Sequence, residues 1–255
     1  TQPFQSEALS GLADILIVMD DSGSMKPYQA NLSTKLNDLL VELKDTDWQV
    51  GVLTTTVVTK NGVDACNLTV IKSTDADRET KFASAVTPGT KGSGDEQGMR
   101  QARTGLSCPE TPWIRPNSTV AVLIVTDEED ASFEPEFKIA KKTDKSAVQA
   151  DALKPLIEYV EKDLAREVGV NAAFYSIFSP PSNPCISSSG SVVGTKYQQL
   201  LDYKNPVGNL NFGRVCEDSY KPTLELISQS IFKLVNNFHK LTDSPDNGTL
   251  VATGK

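Results

Sequence analysis

The chain has 255 residues, 38% of them hydrophobic, which suffices for one large α/β domain or two small ones with a buried core. It carries 25 Lys and Arg against 33 Asp and Glu, a formal net charge of −8, and no basic run, which argues against a nucleic-acid partner. No run of about eighteen consecutive apolar residues is present, so no membrane-spanning helix is predicted.

Hydrophobic periodicity predicts strands that alternate with helices along the chain. The predicted strands are short apolar runs at residues 13–19, 48–58, 68–71, 120–125, 170–178 and 211–215. The predicted helices carry apolar side chains three and four residues apart, at residues 27–44, 81–86, 99–106, 153–168, 197–203 and 222–238. Asn61-Gly62 predicts a tight hairpin turn. The alternation indicates a doubly wound α/β fold, with a mostly parallel central sheet flanked by helices on both faces.

Two of the buried strands end in an aspartate. Asp20 follows the first strand and begins an Asp-x-Ser-x-Ser spacing with Ser22 and Ser24, and Asp127 follows the strand at 120–125. Ligands of a doubly wound sheet gather beyond the carboxyl ends of the strands where the strand order reverses, so these carboxylates converge if their strands flank that point. Carboxylate and hydroxyl oxygens are ligands that Mg²⁺ prefers. For the first loop alone, a helix-capping role is the alternative.

These motifs resemble the metal-ion-dependent adhesion site of von Willebrand factor A domains, and the resemblance covers roughly residues 10–240. It implies a Rossmann-like fold in a single domain at residues 1–240, followed by a tail or the start of a linker at 241–255. The implied metal ligands come from three loops: Asp20, Ser22, Ser24, Ser93 and Asp127. Thr90 is the alternative to Ser93 in the middle loop. Glu128 stands where the family usually has glycine, and residues 94–98 and 213–217 are similar to bacterial secreted members.

The resemblance implies adhesion or protein binding without catalysis. Mg²⁺, or Mn²⁺ or Ca²⁺ in its place, would bind an Asp or Glu carboxylate that a protein partner offers. The alternative is a structural envelope or pilus-associated component in which the metal site has little role. The chain is expected to belong to a larger protein that is extracellular, on the cell surface or periplasmic.

Three kinds of catalytic machinery are missing from the sequence. A phosphotransferase of the haloacid dehalogenase type would need an aspartate where this chain has Ser22. A serine hydrolase would need a base, and His239 is the only histidine, late in the last predicted helix. No Gly-x-x-x-x-Gly-Lys-Ser/Thr loop is present for nucleotide phosphates. The chain is therefore predicted not to be an enzyme.

The acidic residues near the predicted site have two interpretations. Asp95 and Glu96 either support the metal or lie in the first turn of their helix, where negative charge matches the helix dipole. Glu129 and Asp130 are expected to form a solvated acidic rim.

The four cysteines lie near the ends of predicted elements, and none is part of a Cys-x-x-Cys pair. An even number in such places indicates two disulfides and an oxidising compartment, with four free thiols in a cytosolic protein as the alternative. Of the three pairings that four cysteines allow, pairing neighbours in chain order predicts Cys66–Cys108 and Cys185–Cys216.

Overall fold

The structure, a computed structural model, describes residues 11–132, 153–185, 192–204 and 211–242. The strands in that part of the chain are Leu12–Met19 (β1), Asp47–Thr54 (β2), Thr59–Lys60 (β3), Val63–Asp64 (β4), Thr69–Lys72 (β5), Thr119–Val125 (β6), Ala172–Phe178 (β7) and Phe212–Arg214 (β8). Six of them form one sheet in the order β5-β2-β1-β6-β7-β8, while β3 and β4 form a separate hairpin.

The six-stranded sheet is mostly parallel. Every neighbouring pair in it runs parallel except β2 and the edge strand β5, which run antiparallel. The chain passes from β1 to β2 on one side and later returns to β6 on the other side of β1, so the strand order reverses between β1 and β6. The prediction of a doubly wound, mostly parallel α/β sheet is therefore confirmed.

Helices cover both faces of the sheet, as predicted. The described helices are Lys26–Ser33 (α1), Leu36–Leu39 (α2), Arg78–Ala85 (α3), Gly98–Ser107 (α4), residues 153–163 (α5), Thr195–Asp202 (α6) and Lys221–Thr242 (α7). Successive side chains of a strand point to opposite faces. Ile15 and Ile17 of β1 therefore join the core on the side of α1, α2, α3 and α7, while Leu16 and Val18 join the core formed with α4, α5 and α6.

The last helix buries the apolar stripe that its sequence predicts. Leu224, Ile227, Ile231 and Leu234 are all buried against the sheet. Phe238 would extend the stripe, but it lies outside the residues whose side chains are described. Each fully buried side chain of this size stabilises the fold by roughly 1.5–3 kcal/mol, so the stripe is enough to hold the helix in place.

The prediction of one helix from residue 27 to 44 is wrong. α1 ends at Ser33, α2 is a single turn, and a short 3₁₀ segment follows at Val41–Leu43. The break falls in the polar run at 33–35, where the Ser33 hydroxyl donates to the carbonyl oxygen of Ala30. Such side-chain bonds compete with the helix backbone, and Leu32 before the break and Leu39 after it still reach the core.

Several other boundaries differ from the prediction by a few residues, among them the ends of β2 and α5. β2 ends at Thr54 rather than near residue 58, because the chain bends at Thr55 and Thr56. α5 ends in a wide turn at Tyr159–Asp163, short of residue 168, because Leu164 donates to the carbonyl oxygen of Tyr159 and Ala165 takes a φ of +52°.

The covalent and turn predictions are confirmed. Disulfides join Cys66 to Cys108 and Cys185 to Cys216. Asn61 and Gly62 both take positive φ angles, 53° and 80°, as a two-residue hairpin turn between β3 and β4 requires.

The predicted domain boundary near residue 240 is not tested by the described residues. α7 continues to Thr242, so the predicted tail at 241–255 lies outside the described residues apart from its first two positions. Residues 133–152, 186–191 and 205–210 also lie outside them. In the described ranges, no helix combines the length and the apolar character needed to cross a bilayer.

Candidate metal site at the carboxyl edge of the sheet

The candidate site forms where β1 and β6 end side by side. Met19 pairs with Val125, the last residue of β6, and the Asp20 amide then donates to the Val125 carbonyl oxygen at 3.0 Å. This is the point at which the strand order reverses, and the residues that follow the two strands are Asp20 and Thr126-Asp127. The structure thus brings both strand-end aspartates to one place.

Asp20 is fully buried, and both of its carboxylate oxygens accept hydrogen bonds. Oδ1 accepts from the Ser22 amide at 2.7 Å, and Oδ2 accepts from the Thr126 hydroxyl at 2.7 Å. Burial raises the pKa of Asp20 above its ordinary value of 3.8, although the bonds from Ser22 and Thr126 lower it. The hydrogen bonds therefore fix the orientation of the Asp20 carboxylate, but they do not offset the cost of burying its negative charge.

Two serine hydroxyls link the first loop to Asp127. The hydroxyl oxygens of Ser22 and Ser24 lie 3.0 Å apart, and Ser24 donates to Oδ1 of Asp127 at 2.9 Å. Asp127 is 1% exposed, and its other oxygen, Oδ2, is buried without a hydrogen-bond partner among the described residues. Burial raises the pKa of Asp127, and the charge of Asp20 raises it further. Four of the predicted ligands thus form one contiguous cluster.

The middle loop packs against this cluster through Asp21. The Gly92 amide donates to the carbonyl oxygen of Asp21 at 2.8 Å, and the Thr56 hydroxyl donates to Oδ1 of Asp21 at 2.7 Å. A Cβ atom at Gly92 would overlap the Asp21 carboxylate, so this close approach requires glycine.

Ser93 lies beside the cluster but is not bonded to it. Its amide donates to the Thr56 hydroxyl at 2.8 Å, and its own hydroxyl accepts from the Asp95 amide at 3.0 Å. Within the described ranges, no hydrogen bond joins either Ser93 or Thr90 to the four-residue cluster. The choice between these two hydroxyls as a ligand therefore stays a prediction.

Glu96 is buried next to the candidate site, which its sequence context does not indicate. It is 1% exposed, Oε2 accepts from the Thr55 hydroxyl, and Oε1 has no partner among the described residues. Burial, together with the negative charges of Asp20, Asp21 and Glu128, raises the pKa of Glu96 to about 9. No single-sequence signal separates this buried acid from a solvated one, because its burial depends on a strand end some forty residues earlier.

The prediction of a solvated acidic rim is wrong for Asp130 and incomplete for Glu129. Asp130 is fully buried, and it accepts from the Met99 amide at the start of α4 and from the Ser132 hydroxyl. Glu129 accepts from the amides of Thr195 and Lys196 at the start of α6. Both acids therefore hold helix ends, where their negative charge is also favourable.

The donor set fits a hard divalent cation. Two buried aspartates with raised pKa values lie beside two serine hydroxyls, and Oδ2 of Asp127 has no hydrogen-bond partner in the part of the chain that the structure describes. No group of three or more His, Cys, Asp or Glu side chains in the described ranges is arranged to hold a metal ion, so the hydroxyl oxygens would be needed as ligands. Mg²⁺ accepts such neutral oxygen ligands, together with water.

Comparison with known proteins finds the fold and not a sequence family. No family model matches the chain, and no curated protein does either. The pilus adhesin SpaC from Lactobacillus rhamnosus GG, in its open conformation, matches with a TM-score of 0.51 and 12% identity over 89% of this chain and 30% of the adhesin. Manganese-loaded TRAP protein of Plasmodium vivax matches with a TM-score of 0.47 and 15% identity, over 87% of this chain and 74% of that one.

A third solved structure is proximal thread matrix protein 1 from the mussel byssus, with a zinc-occupied MIDAS motif. It matches with a TM-score of 0.46 and 14% identity, over 88% of this chain and 48% of that protein. The chain thus spans about a third of the length of SpaC and about half that of the thread protein. The likeness to SpaC shows a shared fold, the Rossmann-like α/β architecture that the resemblance to von Willebrand A domains predicts.

Proposed function

We propose that the chain is a non-enzymatic adhesion module that binds a carboxylate of a protein partner through a divalent cation. The observation that carries the proposal is the linked cluster of Asp20, Ser22, Ser24 and Asp127, in which Oδ2 of Asp127 is buried and has no partner within the described ranges. A buried carboxylate oxygen without a partner is costly, and a cation would remove that cost.

These four residues would hold the ion, and the Ser93 hydroxyl would complete the set from the middle loop, with Thr90 as the alternative. Mg²⁺ is the proposed ion, with Mn²⁺ and Ca²⁺ as substitutes. When bound, it would supply a positive centre that accepts an Asp or Glu carboxylate from outside. The chain's part is to orient Asp20 through Ser22 and Thr126, and to hold Asp127 through Ser24.

Two observations support the cellular context of the proposal. Two disulfides favour an oxidising compartment, hence an extracellular, cell-surface or periplasmic location. SpaC, which shares the fold, is a pilus adhesin and is several times longer than the matched region. We therefore propose that residues 1–240 form one binding domain within a larger protein.

Metal binding is tested on chain stripped with EDTA. We expect one Mn²⁺ per chain in a titration followed by electron paramagnetic resonance, and a rise in melting temperature with Mg²⁺. An ion at about 100 times its dissociation constant adds about 2.7 kcal/mol to the free energy of unfolding. Asp20→Ala and Asp127→Ala should abolish both effects. Wild-type chain that binds neither ion would refute the proposal.

The middle-loop ligand is tested with two matched variants. Ser93→Ala should reduce the Mg²⁺-dependent rise in melting temperature, and Thr90→Ala should leave it unchanged. The opposite pattern would make Thr90 the ligand.

Carboxylate binding is tested by adding acetate, or a short peptide containing aspartate, to the Mn²⁺-loaded chain. Either probe should displace a water from the ion and lower the water-proton relaxation rate. A matching amide, acetamide or a peptide containing asparagine, should have no effect. An unchanged relaxation rate with both carboxylates would favour the structural alternative, in which the metal site has little role.

A further inference from the structure

Gln29 is a buried polar residue of α1 that the sequence patterns do not single out. It is 4% exposed, and its amide lies between two loops of the candidate site. Nε2 donates to the backbone carbonyl oxygen of Asp20 at 2.9 Å and to that of Gly89 at 2.7 Å. A side-chain amide has two N–H donors, so each donor here serves a different loop.

The first of these bonds completes the fixation of Asp20. The Asp20 amide is held by Val125, and its carboxylate is held by Ser22 and Thr126. The carbonyl oxygen is the remaining polar group of the residue, and Gln29 is its donor.

The second bond fixes the entrance to the middle loop. Gly89 has a φ of +97°, so it forms a turn that other residues rarely adopt, immediately before Thr90. Three residues later, the loop is held again by the Gly92–Asp21 and Ser93–Thr56 bonds. Gln29 therefore ties the start of the middle loop to the same residue that begins the Asp-x-Ser-x-Ser loop.

We propose that Gln29 is a positioning residue of the cation site, which sets the middle loop at a fixed distance from Asp20. The inference rests on the proposed function. Residues that orient the ligands of a metal typically change metal affinity by 10- to 100-fold when they are replaced.

The test replaces Gln29 with methionine, which has a similar length and no donor. We expect Gln29→Met to weaken Mn²⁺ binding to the EDTA-stripped chain about tenfold, measured by electron paramagnetic resonance well below the melting temperature. Amide hydrogen exchange of residues 89–95 should also become faster in the metal-free variant. A purely structural role would lower the melting temperature without changing the dissociation constant of the folded protein.

Gln49 provides a matched control. It is 5% exposed, and its Nε2 donates to the carbonyl oxygen of Trp113. Gln49 lies near the start of β2, so this bond is at the opposite edge of the sheet from the candidate site. Gln49→Met therefore removes a buried bond of the same kind at a distance. It should lower the melting temperature and leave both Mn²⁺ affinity and amide exchange at residues 89–95 unchanged.

Three results would overturn the inference. The first is that Gln29→Met binds Mn²⁺ with wild-type affinity while Asp127→Ala does not bind it. The inference is then wrong, but the proposed function still stands. The second is an equal loss of affinity in Gln49→Met, which indicates general loosening. If Gln29→Met does not fold, Gln29→Asn takes its place, because it keeps the amide but is one methylene too short to reach both carbonyl oxygens. The third result is a wild-type Mn²⁺ affinity in Gln29→Asn. Wild-type chain that binds no Mn²⁺ removes the proposed function and this inference together.

Discussion

Glu96 makes the metal-free fold sensitive to pH. Its pKa rises from 4.5 to about 9 on folding, so the folded chain binds this proton more tightly than the unfolded chain does. The free energy of unfolding therefore falls as pH rises through that range. Asp20 and Asp127, whose pKa values are also raised, contribute to the fall in the same direction.

Glu96→Gln should remove part of this pH dependence. In urea denaturation of the EDTA-treated chain between about pH 5 and about pH 9, the variant should lose less stability than wild type, since an amide does not ionise. Glu225→Gln, on the surface of α7, is the control and should follow the wild-type curve. Parallel curves for Glu96→Gln and wild type would show that Glu96 titrates normally.

Gly92 tests how tightly the middle loop must approach the first. A methyl group there would overlap the Asp21 carboxylate and lie 2.6 Å from the Thr56 hydroxyl oxygen, so the bond between those two side chains would have to break. Gly92→Ala should cost about 1–3 kcal/mol in urea denaturation. Gly94→Ala is the matched control, because a Cβ there meets nothing within 4 Å. Equal stabilities of the two variants would contradict the packing.

At the scale of elements, α7 depends on one face only. Ile231 is fully buried on the sheet, whereas its neighbour Phe232 is 38% exposed. Ile231→Ala should lower the free energy of unfolding by about 2–5 kcal/mol, through lost burial and the cavity left behind. Phe232→Ala should change it far less, since its side chain is already partly in water. Chemical denaturation measures the free energy of unfolding of both variants. Similar losses in the two variants would contradict the assignment of the Ile231 side of α7 as the face that contacts the sheet.

The elements that carry the site could be predicted because their signals are local. An apolar run that ends in an acidic residue indicates the end of a buried strand, and this pattern predicts the positions of Asp20 and Asp127. The break after Ser33 was missed because leucines continue at helical spacing on both sides of it. The burial of Glu96 could not be predicted, because Thr55 and the Asp127 loop reach it from distant parts of the chain.

For the whole molecule, the two disulfides close separate loops on the two faces of the fold. Cys66–Cys108 spans a sequence separation of 42 and Cys185–Cys216 one of 31. Replacing either pair with alanine should lower the free energy of unfolding by roughly 2–4 kcal/mol, by similar amounts, because the entropic cost grows only with the logarithm of loop length. Urea denaturation of each double variant measures the loss. A loss for one pair and none for the other would mean that only one bridge restrains the unfolded chain.

The same bridges limit how far the molecule can be stretched. A tensile load applied to the two ends of the chain cannot draw out the segments that the bridges close off. Since an extended residue spans at most about 3.3–3.6 Å, roughly 250 Å of contour length stays locked while both bridges are intact. The entire middle loop, from Gly89 to Gln97, lies inside the first locked segment. If the chain carries load as the proposed adhesion module, this loop would therefore not be pulled into a straight chain, even after the sheet around it had begun to separate.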